Sequence, residues 1–133
     1  MSDQPPEPEM TPAQRWFRLA EQGLAAAGVL LRDGSAALRI VGFLAQQAAE
    51  KALKSGLLAL GASAPRIHDL SQLNALYPTT YSSHISDDVL DLLGPWVIDG
   101  RYAADPPDLG PIEAGELLTA ATTIVDRIRP LSS

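Results

Sequence analysis

Arg66 and His68 stand with one residue between them in the stretch Ala62–Leu70, ASAPRIHDL. A guanidinium offers a planar fork of donors and an imidazole titrates near neutrality, so together they are able to bind or polarise a phosphate. The same residues also have a structural reading, in which Asp69 or His68 caps a short helix and Arg66 is solvated. Arg101 and Tyr102 pose a similar choice. They follow a helix break and precede Asp105-Pro106-Pro107, and a loop arginine there suits phosphate or partner binding. Alternatively, Tyr102 packs its ring on the end of the fold while Arg101 pairs with an acid such as Glu50. Glu50 and Lys51 lie side by side in a long apolar stretch, where charges are usually kept by pairing. As a salt-bridged pair they are structural. In the functional reading they position Arg66, His68, Arg101 and Tyr102, with Asp69 in support.

Other reactive types form no comparable group. Asp87, Asp88 and Asp91 suggest a metal site, but Ser86 followed by acids is a helix start, and no histidine sits at ligand spacing. No metal and no cofactor are therefore expected. His84 in YSSHIS resembles half of a Ser-His pair without the acid that orients one. The absence of cysteine excludes disulfides, thiolate catalysis and cysteine-bound zinc. A formal charge of −6 and a pI near 4.7 argue against duplex DNA bound on a broad basic face, though not against a local basic pocket. The acidic, proline-rich start lacks a basic n-region and apolar h-region, so the expected location is the cytoplasm. No apolar run approaches the roughly 18 residues that span a bilayer, so no membrane association is expected.

The elements that must position these side chains are helical. Residues 1–10 carry three prolines and three acids and read as a disordered tail, leaving 11–130 as one domain. Thr11-Pro12-Ala13-Gln14 is a helix start with a capping box, and the first helix runs to about Arg32 on a stripe of Trp16, Leu19 or Ala20, Leu24, Ala27, Leu30 and Leu31. Ser35 caps a central helix that Gly61 ends. Its middle, Phe43–Lys54, carries the polar band Gln46, Gln47, Glu50 and Lys51 beside small alanines. A short helix follows from Asp69 to Leu76, then a polar loop at Tyr77–His84. A helix from Ser86 breaks at Gly94-Pro95, and a last one runs from Pro111 to Pro130. Trp16 and Trp96 read as core residues. The spacing predicts an all-α, five-helix, largely antiparallel up-and-down bundle.

The order of these motifs resembles the HEPN family, the higher eukaryotes and prokaryotes nucleotide-binding domain. The matching pieces are Trp16 with Ala20-Glu21, the segment Phe43–Lys54, Gly61 with His68-Asp69-Leu70, and Arg101-Tyr102 before the last helix. The resemblance implies a five-helix bundle that often forms a homodimer, with many bacterial members encoded beside a minimal nucleotidyltransferase in toxin–antitoxin pairs. It also implies that catalytic members are metal-independent endoribonucleases, with an arginine followed after four to six intervening residues by a histidine, in a cleft between two subunits. Here that spacing is missing. Arg66 precedes His68 too closely, no arginine lies at the required distance before His84, and no histidine follows Arg101.

The expected function is accordingly a non-catalytic binding module for a nucleotide or RNA phosphate, working with a nucleotidyltransferase partner. Arg66, His68, Arg101 and Tyr102 form its polar face. One alternative is an endoribonuclease toxin that uses His68 with Arg66 or Arg101. The other is a purely structural helical interaction protein.

Overall fold

Thr11 opens the first helix as its neighbours dictate. Its hydroxyl accepts from the Gln14 N–H at 3.1 Å, and the Gln14 side chain accepts from the Thr11 N–H at 2.9 Å. The computed structural model describes residues 9–34, 38–82, 84–96 and 109–132. In order they form α1 (Pro12–Asp33), α2 (Leu38–Ala59), α3 (Leu70–Ala75), α4 (Thr79–Ser82), α5 (Asp87–Leu93), a 3-10 turn (Gly94–Trp96) and α6 (Pro111–Ser132). No strand occurs among the described residues. The all-α bundle expected from the sequence is the fold found. Ser35, expected to cap α2, lies outside the described residues.

Three details depart from the expectation. Tyr77–His84, read as a polar loop, contains the one-turn helix α4, and Tyr77 itself is buried. Pro130 lies inside α6 instead of ending it; so close to the C-terminus, a missing N–H forfeits only a bond of the last turn. The buried residues of α1 are Ala13, Phe17, Ala20, Ala27 and Gly28, so Phe17 takes the core position expected of Trp16, while of the pair Leu19 or Ala20 it is Ala20 that is buried, as one of the two expected choices. Alanines at 13, 20 and 27 let α1 approach closely, which leaves the bulk of Trp16 at the edge of the contact.

α1 runs antiparallel to α2, with Trp16 beside Lys54. α6 runs parallel to α2, so that the hydroxyls of Ser55 and Ser132 meet near both C-termini at 2.6 Å. Between them the chain returns through α3, α4, α5 and the 3-10 turn: α3, α5 and the turn lie against α2, α5 also packs on α6, and α4 sits against α3. The core joins Leu53 and Leu57 of α2 to Leu70, Leu73, Leu90 and Leu93 of this returning segment and to Leu117, Ile124, Val125 and Ile128 of α6.

Two aromatic rings lock the returning segment onto glycines of α2. A Cβ at Gly42 would stand 2.8 Å from the Trp96 ring, and one at Gly56 would collide with the Tyr77 hydroxyl. Any larger residue at either place would push a ring out of the core. The Tyr77 hydroxyl donates to the Leu53 carbonyl, and burial pushes its pKa up far beyond the ordinary phenol range. At its C-terminus α2 closes with Gly61 at φ 85°, its N–H donating to Leu58 O and that of Ala62 to Leu57 O. This leaves the chain free to turn back along α2 as the stretch that carries Arg66 and His68.

Candidate functional site

The polar band of α2 reaches this returning stretch. Gln46, Glu50 and Lys54 follow one another at four-residue steps, so each lies one turn above the last and about 40° further round the helix. All three are buried. Gln46 donates its amide to the backbone carbonyl of His68 at 3.3 Å, and its own oxygen accepts from Gln47 at 2.9 Å. Glu50 receives the His68 ring: Nδ1 lies 3.2 Å from each carboxylate oxygen. Lys54 Nζ lies 3.2 Å from Glu50 Oε2 and 5.7 Å from the centre of the Trp16 ring.

The exposures show how the group works. The side chains of Glu50 and Lys54 are 6% and 7% exposed, whereas that of His68 is 53% exposed. A buried carboxylate is thus neutralised on one side by a buried ammonium, while its other side grips an imidazole that faces solvent. The ammonium in turn is covered by an indole, whose π face favours a cation. Backbone and ring of His68 are held at separate points, so this residue is fixed despite lying on a loop.

Asp69 settles which residue caps α3. Its side chain accepts from the Gln72 N–H at 3.0 Å, and this leaves the neighbouring imidazole free for Glu50. Arg66 is exposed on the same stretch. Glu50 does not pair with Lys51, as the sequence suggested, but with Lys54. Adjacent helical residues diverge by about 100°, whereas an acid four residues before a lysine meets it on one face. Lys51 is half-buried. Arg101 and Tyr102 lie outside the described residues, as does the suggested pairing of Arg101 with Glu50.

Sequence reasoning missed Lys54 as the partner of Glu50 and Trp16 as its cover. The four-residue spacing from Gln46 through Glu50 to Lys54 was the available signal. Asp87 and Asp88 occupy the first turn of α5 behind the Ser86 cap, as a helix start requires. Among the described residues no group of three or more His, Asp or Glu side chains stands ready to hold a metal ion. No described helix is long and apolar enough to cross a membrane. The hollows of the surface lie elsewhere. One of about 550 Å³ between α1 and α6 is lined by Phe17, Arg18, Glu21 and Arg129, none of which belongs to the group around His68.

The HEPN domain profile matches residues 13–131. Among solved structures, the chain is similar to ST0689, an archaeal HEPN homologue, with 24% identity and a TM-score of 0.73 over 93% of this chain and 100% of that one. It is also similar to TT1696 from Thermus thermophilus, with 27% identity and a TM-score of 0.74 over 92% and 99% of the two chains. No functionally curated protein matches the sequence. The chain belongs to the HEPN domain family.

Proposed function

We propose that this HEPN chain is a non-catalytic binding module that takes a phosphate of a nucleotide or RNA at Arg66 and His68. In this reading it acts as a homodimer beside a minimal nucleotidyltransferase, in a toxin–antitoxin-like pair. One observation carries the proposal: a solvent-facing imidazole is held by a buried carboxylate and a buried amide, with an exposed guanidinium two positions earlier. A side chain needed only for packing requires no such support. The same reading assigns Arg101 and Tyr102, which lie outside the described residues, to the polar face, with Asp69 fixing the end of the loop and Glu50 acting through His68.

The test is fluorescence anisotropy of labelled single-stranded RNA and of nucleotides, with wild type, Arg66→Ala and His68→Ala. Each variant is expected to weaken binding about tenfold or more, the loss of one charge-assisted hydrogen bond. If wild type binds none of these ligands and captures no nucleotidyltransferase on co-expression, the proposal fails.

The contact between Glu50 and His68 also favours a second reading, a metal-independent endoribonuclease. A carboxylate that orients an imidazole and fixes its tautomer is a recurrent support for a general base. RNA cleavage in EDTA by wild type but not by His68→Ala would establish it. Cleavage by neither leaves the binding module.

A further inference from the structure

The contacts of the His68 ring specify which nitrogen carries its proton. Glu50, paired with the Lys54 ammonium, offers only lone pairs, so Nδ1 must be the donor toward it. In a neutral ring, Nε2 then holds a lone pair and can only accept. A lone pair and a phosphate oxygen repel each other. Nε2 becomes a donor to phosphate only when it takes up a proton.

We infer that phosphate binding at His68 is coupled to the uptake of one proton on Nε2, so that the imidazolium bridges Glu50 behind it and the phosphate in front. The inference rests on the phosphate-binding reading above and adds its regulation. Among the described residues, Glu50 of α2 touches the ring and Lys54 of α2 touches Glu50; Lys51 neighbours Glu50 in sequence, and Arg66 and Asp69 flank His68 on its own stretch. Asp69 is committed to the Gln72 N–H, and α1 contributes the uncharged Trp16 over Lys54. The charge of Glu50 is already balanced by Lys54. Protonating His68 therefore adds a net positive charge beside Arg66, where an anion can offset it. The neutral ring, by contrast, presents an acceptor suited to a hydroxyl donor.

The experiment is isothermal titration of the protein with a short single-stranded RNA and, separately, with sulfate, since neither ligand changes its charge near neutrality. Each titration is run in two buffers of different ionisation enthalpy, and from about pH 5 to about pH 8, the window in which imidazole changes charge. Proton uptake is expected to approach one per site at the upper end, with affinity falling by up to about tenfold per pH unit. His68→Gln keeps an amide donor that does not titrate, so its weaker binding should show a flat pH profile. His84→Ala should leave the wild-type profile intact. Binding by wild type without proton uptake overturns the inference while the binding module stands. Uptake that survives in His68→Gln overturns it as well, by locating the proton elsewhere. No binding of either ligand at any pH overturns the inference, and the reading beneath it falls too if nucleotides also fail to bind and no nucleotidyltransferase is captured.

Discussion

Two parts of α2 are packed by opposite chemistry. At Gly42 and Gly56 the helix offers bare backbone, and Trp96 and Tyr77 fill the space that a side chain would occupy. Between them, Gln46, Glu50 and Lys54 place an amide and two charges where an apolar residue would pack at less desolvation cost. The glycine contacts act by shape and end in the core. The polar contacts end at an imidazole that faces water. Shape complementarity therefore accounts for the hold on the returning segment, whereas stability alone does not account for a buried ion pair. What the ion pair determines is the orientation of one exposed ring.

The largest effect is expected on the polar side. Glu50→Ala leaves the Lys54 ammonium buried and unpaired, which should cost about 3–5 kcal/mol in urea denaturation. The double variant E50M/K54M replaces both charges with apolar side chains of similar length and should stay within about 1 kcal/mol of wild type, although His68 loses its support. A double variant as unstable as the single one would mean that the charges are themselves a foundation of the fold, and the contrast would collapse.

On the glycine side, Gly56→Ala should cost about 1–3 kcal/mol, because the added methyl displaces the Tyr77 ring despite the gain in helix propensity. If Gly56→Ala is as stable as wild type, Tyr77 has room to move and the close approach is not a constraint.

Tyr77→Phe gives a smaller effect, about 1 kcal/mol at neutral pH from the hydrogen bond to Leu53 O. Its pH dependence is more telling. Burial raises the folded pKa of Tyr77 above its unfolded value. The unfolded state therefore releases this proton first, and the stability that depends on it is present below about pH 10 and lost as pH rises beyond. Stability measured from neutral to alkaline pH should fall less steeply in Tyr77→Phe; identical slopes would show that the phenol is not shielded.

The smallest effect is expected at the surface pair of Arg129 with Glu21, 2.6 Å apart and nearly half exposed on both sides. Hydrogen bonds to Glu21 and Asp126 raise the Arg129 pKa, yet water screens both partners. Arg129→Ala should change the free energy of unfolding by less than about 1 kcal/mol, mostly through the lost contact with the Phe17 ring. A larger loss would place that guanidinium among the supports of the core.

The local grammar of the helices was legible in the chain. Thr11 and Gln14 form the capping box that their spacing predicts, Ser86 and Asp69 cap the helices that follow them, and Gly61 closes α2. These contacts join residues within one turn of each other, so sequence distance and spatial distance coincide. The candidate site was legible in part. Glu50 and His68 were both named, but the partner assigned to Glu50 was its sequence neighbour Lys51 instead of Lys54, which shares its face. Trp16 was assigned to the core, whose position Phe17 fills.

Sequence alone thus determined the helical class, the caps at Thr11, Asp69, Ser86 and Gly61 and the chemical types available for a site, because propensity, capping and periodicity act over a few residues. Tertiary structure decided which of those types meet. Glu50 and His68 are joined only because Gly61 turns the chain back along α2, and Tyr77 and Trp96 find Gly56 and Gly42 only because the returning segment lies across that helix. Such pairings depend on how helices are rotated and docked, and a one-residue rotation of a stripe, as on α1, exchanges a core residue for an edge residue without altering the local pattern.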